Sequence, residues 1–461
     1  MPRYRPPIDS DLMEQTDEAA KARAFRALLV NTLVSGVTGT FVWFALVFWA
    51  YLETRSVLTT AVIGAAYSLA MAFIGPAFGT FVDRNRKHTA MLLATATSVA
   101  CFALATALFV LIDAGSLLSL TGVWFWLLTA LVLGGSVAGA MRGIALSTCV
   151  SLLVPEERRD RANGLVGTVN GVAFAITSVF SGIVIGQLGM GWALYLSLGL
   201  TVVAFVHLVG IRIPEAKPEP MEGESTSQFD VRSAVDAIRG VPGLPVLIAL
   251  AAFNNMLGGV FMALMDAYGL ELVSVETWGL LWGFIMLAFI AGGIAVAKFG
   301  LGRTPVKLIV TCNLVNWVIC SVFAVQSSIP LLTIGCFVWL FMMPVIEAAE
   351  QTVLQRSIPF EKQGRVFGFA QMVENAAAPV TSILMGPLAA ELFIPLMTDG
   401  KGADWIGSWW GTGPERGLAV MFTLAGLIGL AVTLVFRASR SYRDLTTIRV
   451  EDEASLDVAA A

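Results

Sequence analysis

Apolar stretches about as long as the roughly 20 residues a helix needs to cross a bilayer core recur along this chain. They cover 27–52, 57–81, 89–112, 122–153, 163–188, 191–211, 244–270, 278–297, 305–326, 330–355, 366–393 and 417–437. In hydrocarbon every backbone N–H and C=O needs a partner within its own segment, so each stretch reads as a helix. The chain has 57% hydrophobic and 13% charged residues, against about 25% charged in a soluble domain. The expectation is an all-α membrane protein with twelve transmembrane helices. Several stretches exceed the bilayer thickness, which predicts tilt or extension beyond it.

Basic residues set the orientation. With both termini on one side, that side holds 25 of the 29 Lys and Arg. The other side keeps Arg55, Lys401 and Arg416, and Arg142 lies inside the fourth stretch. The bias predicts that both termini are cytoplasmic. The opening MPRYRPPIDSDLMEQTDEAAKAR has no short apolar core before a cleavage site, so no cleaved signal peptide is expected. Cys101, Cys149, Cys312, Cys320 and Cys336 all fall inside predicted helices, where buried thiols rather than disulfides are expected. No basic stripe points to nucleic acid. There is no G-x-x-x-x-G-K-[ST] phosphate loop, no G-x-S-x-G elbow, and histidine only at His88 and His207. Neither an enzyme nor a cofactor or metal site is expected.

The chain divides in two. Between the sixth and seventh stretches lies PEAKPEPMEGESTSQFDVRSAVDAIRGVPG. Its first part reads as a flexible linker and DVRSAVDAIRG as a short amphipathic surface helix. The expected organisation is a cytoplasmic segment 1–26, a six-helix bundle 27–213, a linker 214–243, a second bundle 244–437 and a tail 438–461. The halves repeat at an offset of 204: Pro155, Glu157, Arg161 and Gly164 match Pro359, Glu361, Arg365 and Gly368, and ITSVFSG matches VTSILMG. Duplicated six-helix halves place a cargo site between them near the midplane.

Gly79-x-x-x-Asp83-Arg84-x-Arg86-Lys87, between the second and third stretches, resembles the signature loop of the major facilitator superfamily. Arg86 stands where that pattern has Gly. Further stretches, GRVFGFAQMVENAAAPVTSILMGPLA, GTGPERGLAVMFTLAG and PEERRDRANGL, are similar to bacterial efflux members of the macrolide-exporter and enterobactin-exporter type. The resemblance implies two pseudo-symmetric six-helix bundles in the bacterial cytoplasmic (inner) membrane, working as a monomer. It also implies that Asp83 latches the halves on the cytoplasmic side, through Arg161 or Arg365 and the start of helix 11, whose dipole favours an anion. The alternative for this loop is a membrane-surface anchor, which accounts for Arg84, Arg86 and Lys87 but not for Asp83.

A charge at a helix centre costs about 3 kcal/mol on insertion scales and marks a functional candidate. Arg142 is placed near the midplane, with Glu347 and Glu374 each about 13 Å deep. Glu350 lies three residues after Glu347, on nearly the same face. One reading has Arg142 tie helices together by pairing with a glutamate. The other has Glu347, Glu374, Glu350 and Arg142 carry proton coupling, and the resemblance supports that role for an arginine in helix 4. Asn31, Asn170, Asn254, Asn255 and Asn375 are candidates for the cargo cavity, against a default of interhelical hydrogen bonds. The fifth stretch lacks the Gly-Pro signature of the superfamily's proton antiporters. Pro379, Gly386 and Pro387 in helix 11 are candidate hinges. Asp266 reads as an interface residue. The segment 394–416, with three tryptophans, reads as lying in the lipid interface.

Three functions fit: a proton-coupled exporter of amphipathic or hydrophobic small molecules such as antibiotics or siderophores, an importer or facilitator of a lipid or metabolite, and a non-transporting membrane sensor or partner. The first is favoured. Its partners are the cargo, protons and the lipid bilayer.

Overall fold

The computed structural model describes residues 10–54, 57–120, 122–215 and 230–446. Residues 1–9, Arg55, Ser56, Thr121, residues 216–229 of the linker and the tail from 447 onward lie outside the described residues. Twelve long helices form the body: α1 (Ser10–Thr54), α2 (Val57–Arg84), α3 (Lys87–Leu111), α4 (Val123–Leu153), α5 (Arg159–Gln187) and α6 (Gly189–Gly210). The second six are α7 (Leu244–Leu272), α8 (Val275–Phe299), α9 (Pro305–Val322), α10 (Ile329–Ser357), α11 (Gln363–Leu388) and α12 (Pro414–Ala438). Short surface helices occupy Ala114–Leu118, Val231–Arg239, Ile394–Thr398 and Lys401–Trp410.

Helix α1 begins well before its apolar stretch because DEAAKARAFRA is rich in strong helix formers. Prolines start α9, α10 and α12, where a missing N–H is no loss. By length and apolarity, 11 helices among the described residues would cross a membrane. The twelfth, α5, carries Arg159, Asp160, Arg161, Asn163 and Asn170 and packs against α1 and α8.

The repeat is visible in the backbone. Pro155 and Pro359 each cap a 3₁₀ turn, Glu156–Arg158 and Phe360–Lys362, that feeds α5 and α11. The two halves meet along two helix pairs, α2 with α11 and α5 with α8, which exchange under the six-helix shift. Where α2 meets α11, Gly75 faces Gly368 and Gly79 faces Gly364. A methyl group on either α2 glycine would collide with backbone across the junction, so only glycine permits this approach.

Both termini of the body, Ser10 and Ala438, lie on the face that also carries the α2–α3, α4–α5 and α10–α11 turns. Most of the Lys and Arg sit there, and it is called the basic face below. The buried apolar residues form three clusters. One lies towards the basic face and draws on both halves, including Leu28, Met91, Ile144 and Leu153 with Val296, Leu354, Val366 and Phe367. Towards the far face there are two clusters, one of the first half around Val42, Phe102 and Phe125, and one of the second half around Phe261, Tyr268 and Phe422. The halves are therefore joined at the basic face and packed separately at the far face.

Between α11 and α12 a π-helical turn, Ala389–Phe393, precedes Ile394–Thr398 and Lys401–Trp410. Trp405 and Trp409 point outward, while Trp410 is buried with its ring 5.0 Å from the Arg416 guanidinium. Arg416 donates to the Ala324 and Val325 carbonyls and to Ser327, which ties this segment to the end of α9. Asp266 accepts hydrogen bonds from the indoles of Trp278 and Trp282, at 3.0 and 3.1 Å.

Candidate transport cavity and inter-half junction

A cavity of about 220 Å³ lies between the halves. Helices α1, α4 and α5 contribute Thr32, Ser35, Arg142, Ser147, Asn163 and Asn170, and α10 and α11 contribute Glu347, Gln351 and Gln371. These positions follow helical spacing: Asn163, Gly167 and Asn170 on α5, and Pro344, Glu347 and Gln351 on α10, each mark one face.

Arg142 is buried and donates from one nitrogen to Thr95 Oγ1 at 2.7 Å and from another to Asn31 Oδ1 at 2.6 Å. Asn31 in turn donates to the Ala204 carbonyl at 2.7 Å and contacts His207 Nδ1 at 3.3 Å. A guanidinium does not lose its proton in proteins, so the cavity holds a fixed positive charge oriented by neutral side chains. Of the two sequence readings of Arg142, the tie to a glutamate is replaced by this tie to Asn31 and Thr95.

Glu347 is exposed into the cavity. Glu350 and Glu374 sit outside the lining, close to each other and to Glu347. The Glu350 Oε1 and Gln351 Oε1 atoms are buried without hydrogen-bond partners. The cavity lining includes Asn170 but not Asn31, Asn254, Asn255 or Asn375. Asn254 accepts from the Trp317 indole at 3.3 Å, Asn255 is half-buried, and Asn375 is exposed beside Glu374. Helix α11 stays α-helical through Pro379, Gly386 and Pro387, and its irregular turn comes just afterwards.

At the basic face Asp83 ends α2 against the start of α11. Its two carboxylate oxygens accept from the backbone N–H groups of Gly364 and Arg365, at 2.7 and 2.9 Å. The Arg365 Nε stands 3.4 Å from the same carboxylate. A helix start with an arginine is a strong anion site. Arg365 also donates to Asp230 Oδ2 at 3.1 Å and to Ser233 Oγ at 3.2 Å. Asp230 caps the helix Val231–Arg239, so this amphipathic helix is fastened to the junction. Of the two arginines considered as partners of Asp83, Arg365 meets it. Arg161 is exposed at the other junction, near Gly300.

The remaining loop residues have separate tasks. Lys87 starts α3; its N–H donates to Glu215 at 2.7 Å, its ammonium lies 3.6 Å from the same carboxylate, and it sits over the Phe360 ring of the second half. Arg86 is the exposed cap residue of α3, Arg84 is half-buried at the end of α2, and His88 contacts the Leu208 carbonyl at 3.0 Å. At the α5–α8 junction, Asp160 accepts from the Leu301 N–H at 2.9 Å. Deeper in, Asn163 donates to Thr352 and Gln355, and Gln355 donates to the Ser147 carbonyl, which links α4, α5 and α10 beside the cavity.

Sequence reasoning missed Asp160, Asp230, Glu215, Thr95 and Gln355. A signal existed for two of them. Asp160 occupies the place of Gly364 at the offset of 204, and Asp230 precedes a helix with a cap-type residue.

The comparisons with known proteins agree with this architecture. The family model described as Major Facilitator Superfamily matches residues 28–382. Macrolide efflux protein A of Streptococcus pyogenes is 19% identical over 371 residues, covering 78% of this chain and 88% of that protein. Multidrug efflux pump Tap of Mycolicibacterium fortuitum is 24% identical over 236 residues, covering 50% and 57%. Among solved structures, a bacterial homologue of the iron transporter ferroportin in the outward-facing state superposes with a TM-score of 0.66 at 15% identity, over 90% of this chain and all of that one. The human organic anion transporter MFSD10 gives 0.65 at 13% identity, over 90% and 99%. Twelve helices in two joined halves, with a cavity between them and a family match over most of the length, make this chain a member of the major facilitator superfamily, a family of transporters rather than enzymes.

Proposed function

We propose that the protein is a secondary active exporter of amphipathic or hydrophobic small molecules, working by alternating access and driven by proton antiport. The observation that carries this reading is the cavity between the halves, where Glu347 and the fixed charge of Arg142 face the same space with the Glu350–Glu374 pair beside it. A carboxyl that takes up a proton on one side and releases it on the other links proton entry to cargo exit. The efflux proteins to which the chain is similar favour export and drug-like cargo. Glu347, Glu350 and Glu374 carry the proton in this reading, and Arg142 biases its release. Thr32, Ser35, Asn170, Gln351 and Gln371 offer hydrogen bonds to cargo.

In the same reading the basic face is the cytoplasmic side of a bacterial inner membrane, and the protein acts as a monomer. The Asp83–Arg365 contact with the start of α11 is a latch that holds the basic side shut, and Pro379, Gly386 and Pro387 lend α11 its bending. Inside-out vesicles energised with a pH gradient test it: macrolides, other drugs and siderophores are added in turn, with intact protein and Glu374→Gln. Cargo-triggered collapse of the gradient, lost in the variant, is expected. No collapse with any compound, from folded protein, would move the weight to an uncoupled or inward carrier.

A further inference from the structure

Asn31 makes contacts on both of its sides. It is fully buried on α1, at 0% exposure, so its amide must find every partner within the protein. Its neighbours settle which way that amide points. Arg142 has only donors, so Oδ1 is the atom that faces the guanidinium, at 2.6 Å. Nδ2 is thereby turned towards α6, where the Ala204 carbonyl accepts one of its two hydrogens at 2.7 Å. The second hydrogen meets His207 Nδ1 at 3.3 Å, one turn further along α6.

Only an acceptor satisfies that hydrogen. A neutral imidazole has one nitrogen that donates and one that accepts, so Nδ1 is bare here and the ring proton sits on Nε2. His207 lies in the last turn of α6 and is exposed, and neither it nor Asn31 lines the cavity. A chain of three side chains therefore runs from the surface of the first half, through a buried amide, to the guanidinium in the cavity. At the other end of Arg142, Thr95 spends its own hydrogen on the Met91 carbonyl at 2.8 Å, which leaves its oxygen to accept from Arg142.

We propose that His207 is a positioning residue for Arg142. Its bare Nδ1 accepts from Asn31, the amide is held with its oxygen towards Arg142, and the guanidinium keeps its place in the cavity lining. Without that acceptor a buried N–H is orphaned, which costs more than the hydrogen bond contributes, and the amide turns towards another partner. The inference rests on the transport reading for the use of Arg142, whereas the tautomer it requires does not.

Two experiments on the full-length chain test it. The first reads the ring proton by nitrogen NMR of protein labelled with nitrogen-15 histidine, in nanodiscs of phosphatidylethanolamine and phosphatidylglycerol. The chain has 2 histidines, so His88→Gln leaves His207 as the sole signal. A bare Nδ1 and a protonated Nε2 are expected. Asn31→Asp, which puts an acceptor in place of the donor, is expected to move the proton to Nδ1. A proton on Nδ1 with Asn31 intact, or the same spectrum from both proteins, would overturn the proposal. The second measures cargo-driven proton flux in the inside-out vesicles. His207→Leu is expected to lower it about five-fold, and His207→Asn, whose amide oxygen stands where Nδ1 stood, to retain most of it. Where Asn31 is already alanine, His207→Leu should cost nothing further; independent losses that multiply would overturn the proposal. If no cargo moves protons, the transport reading fails and the spectra still decide the role of His207.

Discussion

Asp83 and Asp160 fasten the two inter-half junctions in opposite senses. Asp83 sits on α2 and accepts from Gly364 and Arg365 at the start of α11. Asp160 sits in the first turn of α5 and accepts from Leu301 in the α8–α9 turn. Under the offset that maps α5 onto α11, Asp160 falls on Gly364, the residue that donates to Asp83. The acid has changed sides between the two copies of one contact. In both, the carboxylate lies at the start of a helix, where the dipole favours an anion.

Asp83→Asn is expected to loosen the basic face. The amide keeps the shape but gives up the charge in two backbone hydrogen bonds and an ion pair, and hydrogen bonds to charged groups contribute about 1.5–3 kcal/mol. The reporter is Cys149, fully buried in the shared core, with the other four cysteines replaced by alanine. Its rate of modification by a maleimide should rise about ten-fold or more; an unchanged rate would show that Asp83 does not hold the junction.

Asp160→Ala should act in the same direction but more weakly, because one inter-half hydrogen bond is lost. About 1 kcal/mol corresponds to about a five-fold rise in Cys149 modification. An effect larger than that of Asp83→Asn would reverse this ranking of the two junctions.

Gly79→Ala places a methyl group against the backbone of Gly364 and Arg365, which no side-chain rotation relieves. It should raise Cys149 modification and lower the thermal midpoint of the purified protein. Gly199→Ala, on α6, meets no neighbouring atom and should leave both readouts unchanged. Equal behaviour of the two variants would refute the close approach of α2 and α11.

Arg142→Lys tests the buried cation. Lysine keeps the charge, but its compact ammonium does not reproduce the fixed fork that reaches Asn31 and Thr95 together. Cargo-driven proton flux in vesicles is expected to fall about ten-fold or more, with Asn31→Ala losing less because Thr95 still holds the guanidinium. Full flux in Arg142→Lys would mean that charge alone matters at this position.

Much of the fold was legible because bilayer crossing imposes a length on every apolar stretch, and the repeat around Pro155 and Pro359 survives in the sequence. The charges within the helices were legible for the same reason, since Arg142, Glu347 and Glu374 interrupt apolar runs. Partnerships were not. Nothing in the sequence distinguishes Arg365 from Arg161 as the neighbour of Asp83, because both begin equivalent helices, and only the packing of α2 on α11 separates them. Asn31 and Asn254 looked alike as cavity candidates, yet one orients Arg142 and the other binds Trp317. A hydrogen bond between helices distant in the chain depends on helix rotation, which periodicity in a uniformly apolar helix does not fix.

The division of the apolar core into one shared cluster and two private ones has a thermal consequence. Rocking the halves apart at the basic face leaves each private cluster whole and brings water to the shared one alone. Apolar cohesion weakens on cooling because its heat-capacity change is large. In the proposed alternating access, the balance between the two arrangements therefore carries the temperature dependence of the shared cluster. In the cold the basic face loses grip first, while each half keeps its own packing.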